Sequence, residues 1–365
     1  MTGRRIPFAD LKPRDDAAEV RSAIDRVISS GWFILGPEVE AFEAEFAAAC
    51  GAAHAVGVGN GTDALALILR AVGIGSGDEV ITSPLSAAYT SLAVLMAGAR
   101  PVFADIDPDR LTLNPDAVDR AVTPRTRAIL PVHLYGQAAD MPALARVAAR
   151  HGLAIVEDCC QAHLATAAGR PVGTVGVAGA FSFYPTKNLG ALGDGGAIVT
   201  NDGALADRLR RLRNGGQSDR YRHEEAGVNS RLDELQAAIL RARLPWLSTR
   251  TSRRRALAAG YRSGLSKAPV EVPPELDAGH VYHLFVVRSR KRAALQQHLS
   301  ARGIGTLVHY PIPLPHQPAF AASGPAECPE ATAACHEVLS LPLHPGLDDA
   351  DLRQVVTAIG EFQEV

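Results

Sequence analysis

Short apolar runs alternate with segments of helical periodicity over most of the chain, and this alternation restricts the possible folds more than any other feature. The runs are rich in Val, Ile and Ala, and they occupy residues 55–58, 79–82, 101–105, 128–132, 153–156 and 197–200. Between them, apolar residues recur every three or four positions, as in 64–72, 88–97 and 141–151. Strands that are separated by helices pair in parallel through right-handed crossovers. The sequence therefore predicts an α/β fold with a large, mostly parallel sheet flanked by helices.

The two ends of the chain depart from this alternation. Helices are predicted near the start, over 16–30 and 37–49, and a largely helical stretch with a break at Pro245 covers 232–263. The C-terminal part predicts strands at 283–288 and 306–309 and helices at 292–302 and 348–362. We therefore expect a large α/β domain over 1–245, including the N-terminal helices, and a small C-terminal α+β domain over 246–365.

The composition is that of a globular enzyme and excludes several classes of partner. The 365 residues are 47% hydrophobic and 21% charged, and the net charge of −2 provides no attraction for nucleic acid or for an anionic membrane. No run of about eighteen apolar residues is present to span a membrane. The five cysteines lack the spacing of a zinc site, so we expect free thiols, no metal and a cytoplasmic location.

An acid and a lysine follow two of the predicted strands. The run 153–156 ends in Glu157-Asp158, and the strand-like stretch 180–183 leads to Lys187 and then to a glycine-rich loop. Open α/β sheets hold their sites at the carboxyl ends of strands. This order is typical of a pyridoxal 5'-phosphate (PLP) site, where the lysine forms a Schiff base and the acid pairs with the pyridinium nitrogen. Taken singly, Lys187 would be a solvated lysine and Asp158 a helix N-cap.

A glycine-rich turn follows the first predicted strand. The sequence Gly59-Asn60-Gly61-Thr62-Asp63 lies between the run 55–58 and the helix 64–72. A helix N-terminus presents free backbone N–H groups and the positive end of the helix dipole, so this turn could hold a phosphate. An ordinary capped helix after a tight turn has the same pattern, and the turn alone leaves both interpretations open.

Seven motifs occur in order along the chain: IPFADL at 6–11, NGTDAL at 60–65, GARPVFAD at 98–105, EDCCQAH at 157–163, FSFYPTKNLG at 181–190, GVNSRL at 227–232 and HYP at 309–311. Together they resemble the DegT/DnrJ/EryC1/StrS family of PLP-dependent sugar aminotransferases. The resemblance covers nearly the whole chain. It implies the aspartate-aminotransferase-like PLP fold type I.

The resemblance also implies roles for the residues of the predicted site. Lys187 would bind PLP as a Schiff base and, once released, would move protons, while Asp158 would keep the pyridine nitrogen protonated. The cofactor would alternate between PLP and pyridoxamine phosphate. The other expected contacts are Gly61, Thr62 and Ser182 at the phosphate, and Gln161 at the ring or its O3′.

Two further cofactor contacts follow from the resemblance. In the family, an asparagine of the neighbouring subunit reaches the phosphate, and Asn229 fits that motif, which implies a homodimer with shared active sites. Taken alone, Asn229 would be a turn residue after Gly227. Family members carry an aromatic residue that stacks on the ring, at a position that aligns here with Ala87. Either the nearby Tyr89 stacks instead, or a smaller side chain lies on the ring.

The resemblance implies transfer of an amino group from L-glutamate to a keto group of a nucleotide-linked sugar. The segment HYPIPLPHQ at 309–317 resembles enzymes that aminate 3-keto-6-deoxyhexoses, and dTDP is the expected nucleotide. Arg231 is the candidate for the donor carboxylate. The other expected substrate contacts are Tyr184, Tyr221, His309 and Tyr310. A 4-keto-sugar or cyclitol aminotransferase of the same family and a non-catalytic PLP-binding regulator are the alternatives.

Overall fold

The computed structural model of the protein describes residues 5–324 and 326–363. Within these ranges the helices are α1 (Ala17–Ser30), α2 (Pro37–Ala49), α3 (Gly61–Ala71), α4 (Ala88–Met96), α5 (Pro115–Ala121), α6 (Met141–His151), α7 (Gly203–Leu212), α8 (Glu234–Arg243), α9 (Leu247–Gly264), α10 (Arg292–Ala301), α11 (Pro329–Glu337) and α12 (Asp349–Gly360). The strands are β1 (His54–Val58), β2 (Glu79–Thr82), β3 (Arg100–Phe103), β4 (Thr126–Leu130), β5 (Ala154–Asp158), β6 (Thr166–Ala167), β7 (Arg170–Pro171), β8 (Ala178–Ser182), β9 (Gly196–Thr200), β10 (Gln217–Asp219), β11 (Arg222–His223), β12 (Phe285–Arg288) and β13 (Val338–Leu341).

Several helices begin at a polar side chain that accepts a backbone N–H of the first turn. These caps are Asn60, Asn114, Asp140, Asp202 and Asp348. Each satisfies a donor that has no partner within the helix, and each therefore fixes where its helix starts.

The central sheet has seven strands in the order β1-β9-β8-β5-β4-β2-β3. The neighbours from β8 to β3 pair in parallel, whereas β9 is antiparallel to both β1 and β8. Strand β9 reverses direction because the connection from β8 is a loop over 183–195 with no crossover helix. The predicted α/β class with a mostly parallel sheet is confirmed.

Helices cover both faces of this sheet. Val80 and Ile81 are adjacent in β2 and fully buried, yet they belong to two different apolar clusters because successive strand residues point to opposite faces. The cluster around Ile81 includes Phe42 and Phe46 of α2, and the cluster around Val80 includes the apolar side of α3. Burial on both faces explains why the strands are continuous apolar runs.

The C-terminal part forms a third apolar cluster around the antiparallel pair β12–β13 and the helices α9, α10 and α12. The predicted strand over 306–309 is wrong. Only Leu307 pairs with a strand residue, through two backbone hydrogen bonds of 3.2 and 2.8 Å with Ser340. Pro311 follows closely and has no N–H to extend the pairing. The boundary that we predict at residue 245 lies in a short 3-10 turn, Leu244–Trp246, between α8 and α9.

No helix in the described part of the chain has both the length and the apolar composition needed to cross a membrane.

Candidate active site

Lys187 lies in a tight turn just after β8. Its backbone N–H donates to the carbonyl of Tyr184 over 2.8 Å, and its side chain is partly buried. Burial lowers the pKa of the Lys187 ammonium, and the nearby Asp158 carboxylate only partly opposes this shift. The amine is therefore neutral in a larger fraction of molecules than a surface lysine would be, which makes it a better nucleophile and base.

Asp158 ends β5, the parallel neighbour of β8, so the sheet brings it beside the lysine turn. The carboxylate is buried, and it accepts hydrogen bonds from the Thr90 hydroxyl (2.8 Å) and from the Cys160 N–H (3.1 Å). The Ser86 and Thr90 hydroxyls are 3.0 Å apart. Because the single proton of Thr90 is donated to Asp158, Ser86 donates to Thr90. This chain of hydroxyl groups fixes the orientation of the carboxylate.

The N-terminus of α3 lies against the end of β8. The Asn60 side chain accepts from the Asp63 N–H, and the Asn60 carbonyl accepts from the Ala64 N–H. Among the described residues, the N–H groups of Gly61 and Thr62 have no partner in the protein. These unpaired donors and the helix dipole form an anion site.

Glycine is required at position 61 because the neighbouring elements approach so closely. A Cβ atom there would lie 2.7 Å from the Cys160 Sγ and 2.9 Å from the Ser182 Cβ. The Ser182 hydroxyl accepts only a long bond, 3.3 Å, from the Tyr184 N–H, so its proton is available to a ligand. The close approach places Ser182 of β8 beside the free N–H groups of α3.

Gln161 is held at both ends of its amide. Its Oε1 accepts from the Tyr135 N–H over 2.8 Å, and its Nε2 donates to the Tyr310 hydroxyl over 3.0 Å. Burial raises the pKa of Tyr310, so its hydroxyl stays protonated and retains a proton to donate. His309 stacks on Phe8, and burial lowers the pKa of this imidazole to about 4. These contacts form a polar, uncharged wall next to Asp158.

A cavity of about 820 Å³ opens at Lys187. Among the predicted substrate contacts, Tyr184 and His309 line it, and Tyr184 is about half exposed. Much of the remaining lining comes from the N-terminal segment between Phe8 and Asp16, from α9 and from the loop that follows β13. The cavity is large enough for a small-molecule substrate.

Of the predicted residues, only Lys187, Tyr184 and His309 line this cavity, and four of those outside it are Tyr221, Asn229, Arg231 and Tyr89. Tyr221 is 80% exposed on the β10–β11 hairpin, and Asn229 is exposed on the segment that follows it. Arg231 donates from Nη1 to the Asn214 Oδ1 over 3.0 Å. Tyr89 is 65% exposed in the first turn of α4, one residue before Thr90. None of the four is hydrogen-bonded to Lys187 or Asp158 in the described residues.

A buried group of possible metal ligands, His133, Glu157 and Cys159, lies behind the site. The His133 Nδ1 accepts from the Ala139 N–H, and its Nε2 is 3.0 Å from Glu157. Glu157 also accepts three backbone N–H groups, each over 2.8 Å. Protein hydrogen bonds therefore already occupy the histidine and the carboxylate. The group stabilises the end of β5 and the loop before β8.

Comparisons with known proteins show the family of the chain. The sequence profile of the DegT/DnrJ/EryC1/StrS aminotransferase family matches residues 14–360. The chain belongs to this family. A curated relative, the dTDP-3-amino-3,4,6-trideoxy-alpha-D-glucose transaminase of Streptomyces venezuelae, is 52% identical to this aminotransferase over 99% of the chain and 97% of its own length.

Solved structures lead to the same assignment. The S. venezuelae DesV structure in complex with a ketimine intermediate superposes on the aminotransferase with a TM-score of 0.95, at 52% identity over 99% of both chains. NtdA of Bacillus subtilis, with bound cofactor PMP, gives a TM-score of 0.92 at 31% identity over 98% of this chain and 86% of its own. The predicted PLP fold type I is confirmed.

The residues of the site fit PLP. The unpaired N–H groups at Gly61 and Thr62 suit its phosphate, the fixed carboxylate of Asp158 suits its pyridine nitrogen, and the partly buried amine of Lys187, whose pKa is lowered, suits its aldehyde. The aminotransferase also has residues here that the sequence did not reveal. Thr90 contacts Asp158 across a long stretch of chain, and Ser86 contacts Thr90, so no local motif could have indicated them.

Proposed function

We propose that the enzyme transfers the amino group of L-glutamate to the C3 keto group of a dTDP-linked 3-keto-6-deoxyhexose. The observation that carries this proposal is the 52% identity over nearly the full length to a transaminase named for a dTDP-3-amino sugar. The buried Lys187 and the fixed Asp158 agree with an active catalyst. The relatives do not favour a cyclitol or 4-keto-sugar aminotransferase or a non-catalytic regulator.

PLP, when bound, accepts the electron pair that is left when a substrate carbon loses its proton, and it carries the amino group between the two substrates. Lys187 would anchor the cofactor and then move a proton at the Cα of glutamate and at C3 of the sugar. Its lowered pKa suits this base because a larger fraction is unprotonated near neutral pH. Asp158 would hold the proton on the pyridine nitrogen.

The other contacts bind and orient the reactants. The N–H groups of Gly61 and Thr62 and the Ser182 hydroxyl would hold the phosphate. Tyr184 and His309 would contact the sugar from the walls of the cavity, Tyr310 would contact it from its place beside Gln161, and Gln161 would lie at the ring. Tyr89 is the candidate for stacking because it lies one residue from Thr90, which contacts Asp158.

We also infer a homodimer with shared active sites. Trp32, Phe33 and Ile34 before α2 are 56%, 49% and 40% exposed, and contiguous exposed apolar side chains of this kind mark an interaction surface. Tyr221 and Asn229 are exposed on a neighbouring segment, where they could enter a partner's site, and Arg231 adjoins them. A second copy would cover the apolar side chains and would supply Asn229 to the phosphate.

Two further proposals concern organisation. A domain division near residue 245 is supported by the separate apolar cluster of the C-terminal part. A cytoplasmic location is consistent with five cysteines that are all free of disulfides.

The proposed function is tested by the absorbance of the PLP-loaded enzyme. A visible band above about 400 nm should disappear on addition of glutamate and return on addition of the dTDP-linked 3-keto sugar, because the cofactor carries the chromophore. Mass spectrometry should then find the 3-amino sugar. The Lys187→Ala variant should show neither change. A wild-type band that ignores glutamate, or a keto sugar that stays unaminated, would refute the proposal.

A further inference from the structure

Arg254 of α9 is a buried guanidinium with no acidic partner among the described residues. Its side chain is only 6% exposed. Its Nη1 donates to the carbonyls of Tyr282, His283 and Leu343 over 3.3, 3.2 and 2.9 Å, and these carbonyls fix its position. Its Nε is buried without a partner, and in the described residues its Nη2 makes no hydrogen bond.

Three nearby arginines do have acidic partners. Arg243 and Arg250 both pair with Asp16, at 2.8 and 3.2 Å, and Arg253 pairs with Asp349 at 2.8 Å. Burial lowers the pKa of Arg254 to about 10, and the charge of Arg250 adds to this shift. A buried charge without a counter-ion is strongly destabilising, so an unpaired arginine points to an anion that the protein alone does not supply.

Arg254 lines the same cavity as Lys187. The imidazole of His283 also lines this cavity, and its pKa is held well below its usual value by burial and by the charges of Lys187 and Arg254. The phosphate-binding residues Gly61 and Ser182 do not line the cavity. The anion at Arg254 is therefore not the phosphate of the cofactor, and it must enter with a substrate.

We propose that Arg254 binds a carboxylate of the amino donor. This inference rests on the proposed function, which supplies two anionic substrates, an amino acid and a nucleotide diphosphate. The guanidinium keeps an unpaired Nη2 that can donate a charge-assisted hydrogen bond to a carboxylate oxygen. An amino acid carries a carboxylate on the reacting carbon itself, next to Lys187, whereas the diphosphate of the sugar is separated from C3 by C2, C1 and the glycosidic oxygen.

Arg254 and Arg231 are thus two candidates for the donor carboxylate on different parts of the molecule. Arg231 lies outside the cavity and is hydrogen-bonded to Asn214, whereas Arg254 lies inside the cavity. The carboxylate site at Arg254 would be formed within one subunit. A site at Arg231 would need the partner subunit.

Calorimetric titration of the PLP-loaded enzyme with 2-oxoglutarate, the keto acid of the donor, tests the proposal without turnover. Arg254→Lys keeps the charge and can still donate to the carbonyls, but it loses the planar fork. We expect its Kd for 2-oxoglutarate to rise about 10- to 100-fold, since hydrogen bonds to charged groups are lost. Its Kd for dTDP should change less than about twofold, because Arg254 binds the carboxylate and dTDP has none.

Arg255→Lys is the matched control. Arg255 is the next residue of α9, it is exposed, and it donates to the His280 carbonyl over 2.8 Å without lining the cavity. Its variant should bind both ligands as the wild type does. The absorbance band of bound PLP should be unchanged in both variants, since the phosphate-binding residues lie elsewhere.

A folded Arg254→Lys enzyme with wild-type affinity for 2-oxoglutarate would overturn the proposal. Weaker binding of dTDP with unchanged 2-oxoglutarate binding would also overturn it and would assign the anion to the diphosphate. If the variant does not fold, phenylglyoxal labelling of the wild type decides: 2-oxoglutarate should protect Arg254, and equal labelling would refute the site. A wild-type enzyme that ignores glutamate refutes the proposed function instead.

Discussion

Asp158 shows how a single hydrogen bond can prepare a catalytic group. The residue is positioned by its strand, but the orientation of its carboxylate depends on Thr90, whose hydroxyl is in turn held by Ser86. A carboxylate that must meet one ring nitrogen needs a fixed direction as well as a fixed position. Thr90 is therefore a positioning residue that acts through Asp158.

Thr90→Val should weaken PLP binding because it removes this donor while keeping the shape of the side chain. Loss of a hydrogen bond to a charged group corresponds to about 1.5–3 kcal/mol, so the Kd for PLP should rise at least about tenfold. Fluorescence titration with PLP measures this, and the pH midpoint of the visible band should shift as well. Thr90→Ser should restore both values.

The matched control for Thr90 is Ser91→Ala in the same helix. The Ser91 hydroxyl is buried and has no hydrogen-bond partner in the described residues, so its removal should leave the affinity for PLP unchanged. Equal affinities of Thr90→Val and the wild type, with both proteins folded, would show that Asp158 does not depend on the hydroxyl.

At the scale of elements, Glu79 links three strands at the edge of the sheet opposite the site. It begins β2, and it accepts from Arg100 of β3 (2.6 Å) and from Arg125 (2.7 Å) and Thr123 (2.7 Å) in the segment before β4. Burial by itself would raise the pKa of Glu79, but these donors lower it from 4.5 to about 2. The carboxylate therefore favours the folded state whenever it is ionised.

The sign of the pH effect follows from that lowered pKa. The contribution of Glu79 is fully present above pH 4.5, the unfolded value, and it is lost as the pH falls to about 2. Glu79→Gln should lower the free energy of unfolding at pH 7 by about 2 kcal/mol, a value reduced because both arginines are partly exposed. Urea unfolding at a series of pH values should show a flatter pH dependence for the variant.

Glu40→Gln provides the comparison for Glu79. Glu40 is an exposed residue of α2 with no ion pair in the described part of the chain, so its variant should keep the wild-type dependence on pH. A Glu79→Gln protein that loses stability in acid as steeply as the wild type would show that the three donors do not bind the carboxylate in solution.

At the scale of the whole molecule, the site has residues that one chain does not bring together. Asn229 and Tyr221 are exposed and lie outside the cavity of Lys187. If the partner subunit supplies Asn229, each active site combines Lys187 of one chain with Asn229 of the other. Two defective proteins should then complement each other.

Mixed dimers of Lys187→Ala and Asn229→Asp subunits should regain activity, because one of their two sites has both native residues. In a statistical mixture about half of the dimers are mixed, so about a quarter of the wild-type activity should return. Activity is measured after refolding the two inactive proteins together. In the control, both changes are in one chain and the other chain is wild type. The mixed dimers should then be inactive and the wild-type dimers alone should give about a quarter of the activity, whereas a total of about half would mean that Asn229 acts within its own subunit.

The sequence by itself was enough for the fold class, and it singled out the acid and the lysine that we propose as the catalytic pair. Apolar runs and helical periods report burial directly, so the parallel sheet was predictable, and the acid and lysine follow strands whose ends meet at one edge. The strand predicted over 306–309 does not form. Its apolar pattern is that of a strand, but backbone pairing there depends on the distant Ser340, and Pro311 has no N–H to extend it.

Only the tertiary structure decided which groups surround the catalytic pair. The contact of Thr90 with Asp158 and the absence of an acid beside Arg254 among the described residues are properties of packing between elements far apart in the chain. Among the arginines of α9, Arg250 and Arg253 pair with acids, whereas the buried Arg254 donates only to backbone carbonyls in the described residues. Local sequence determines where an arginine is attached, whereas the presence of an acidic partner depends on the elements that pack against it.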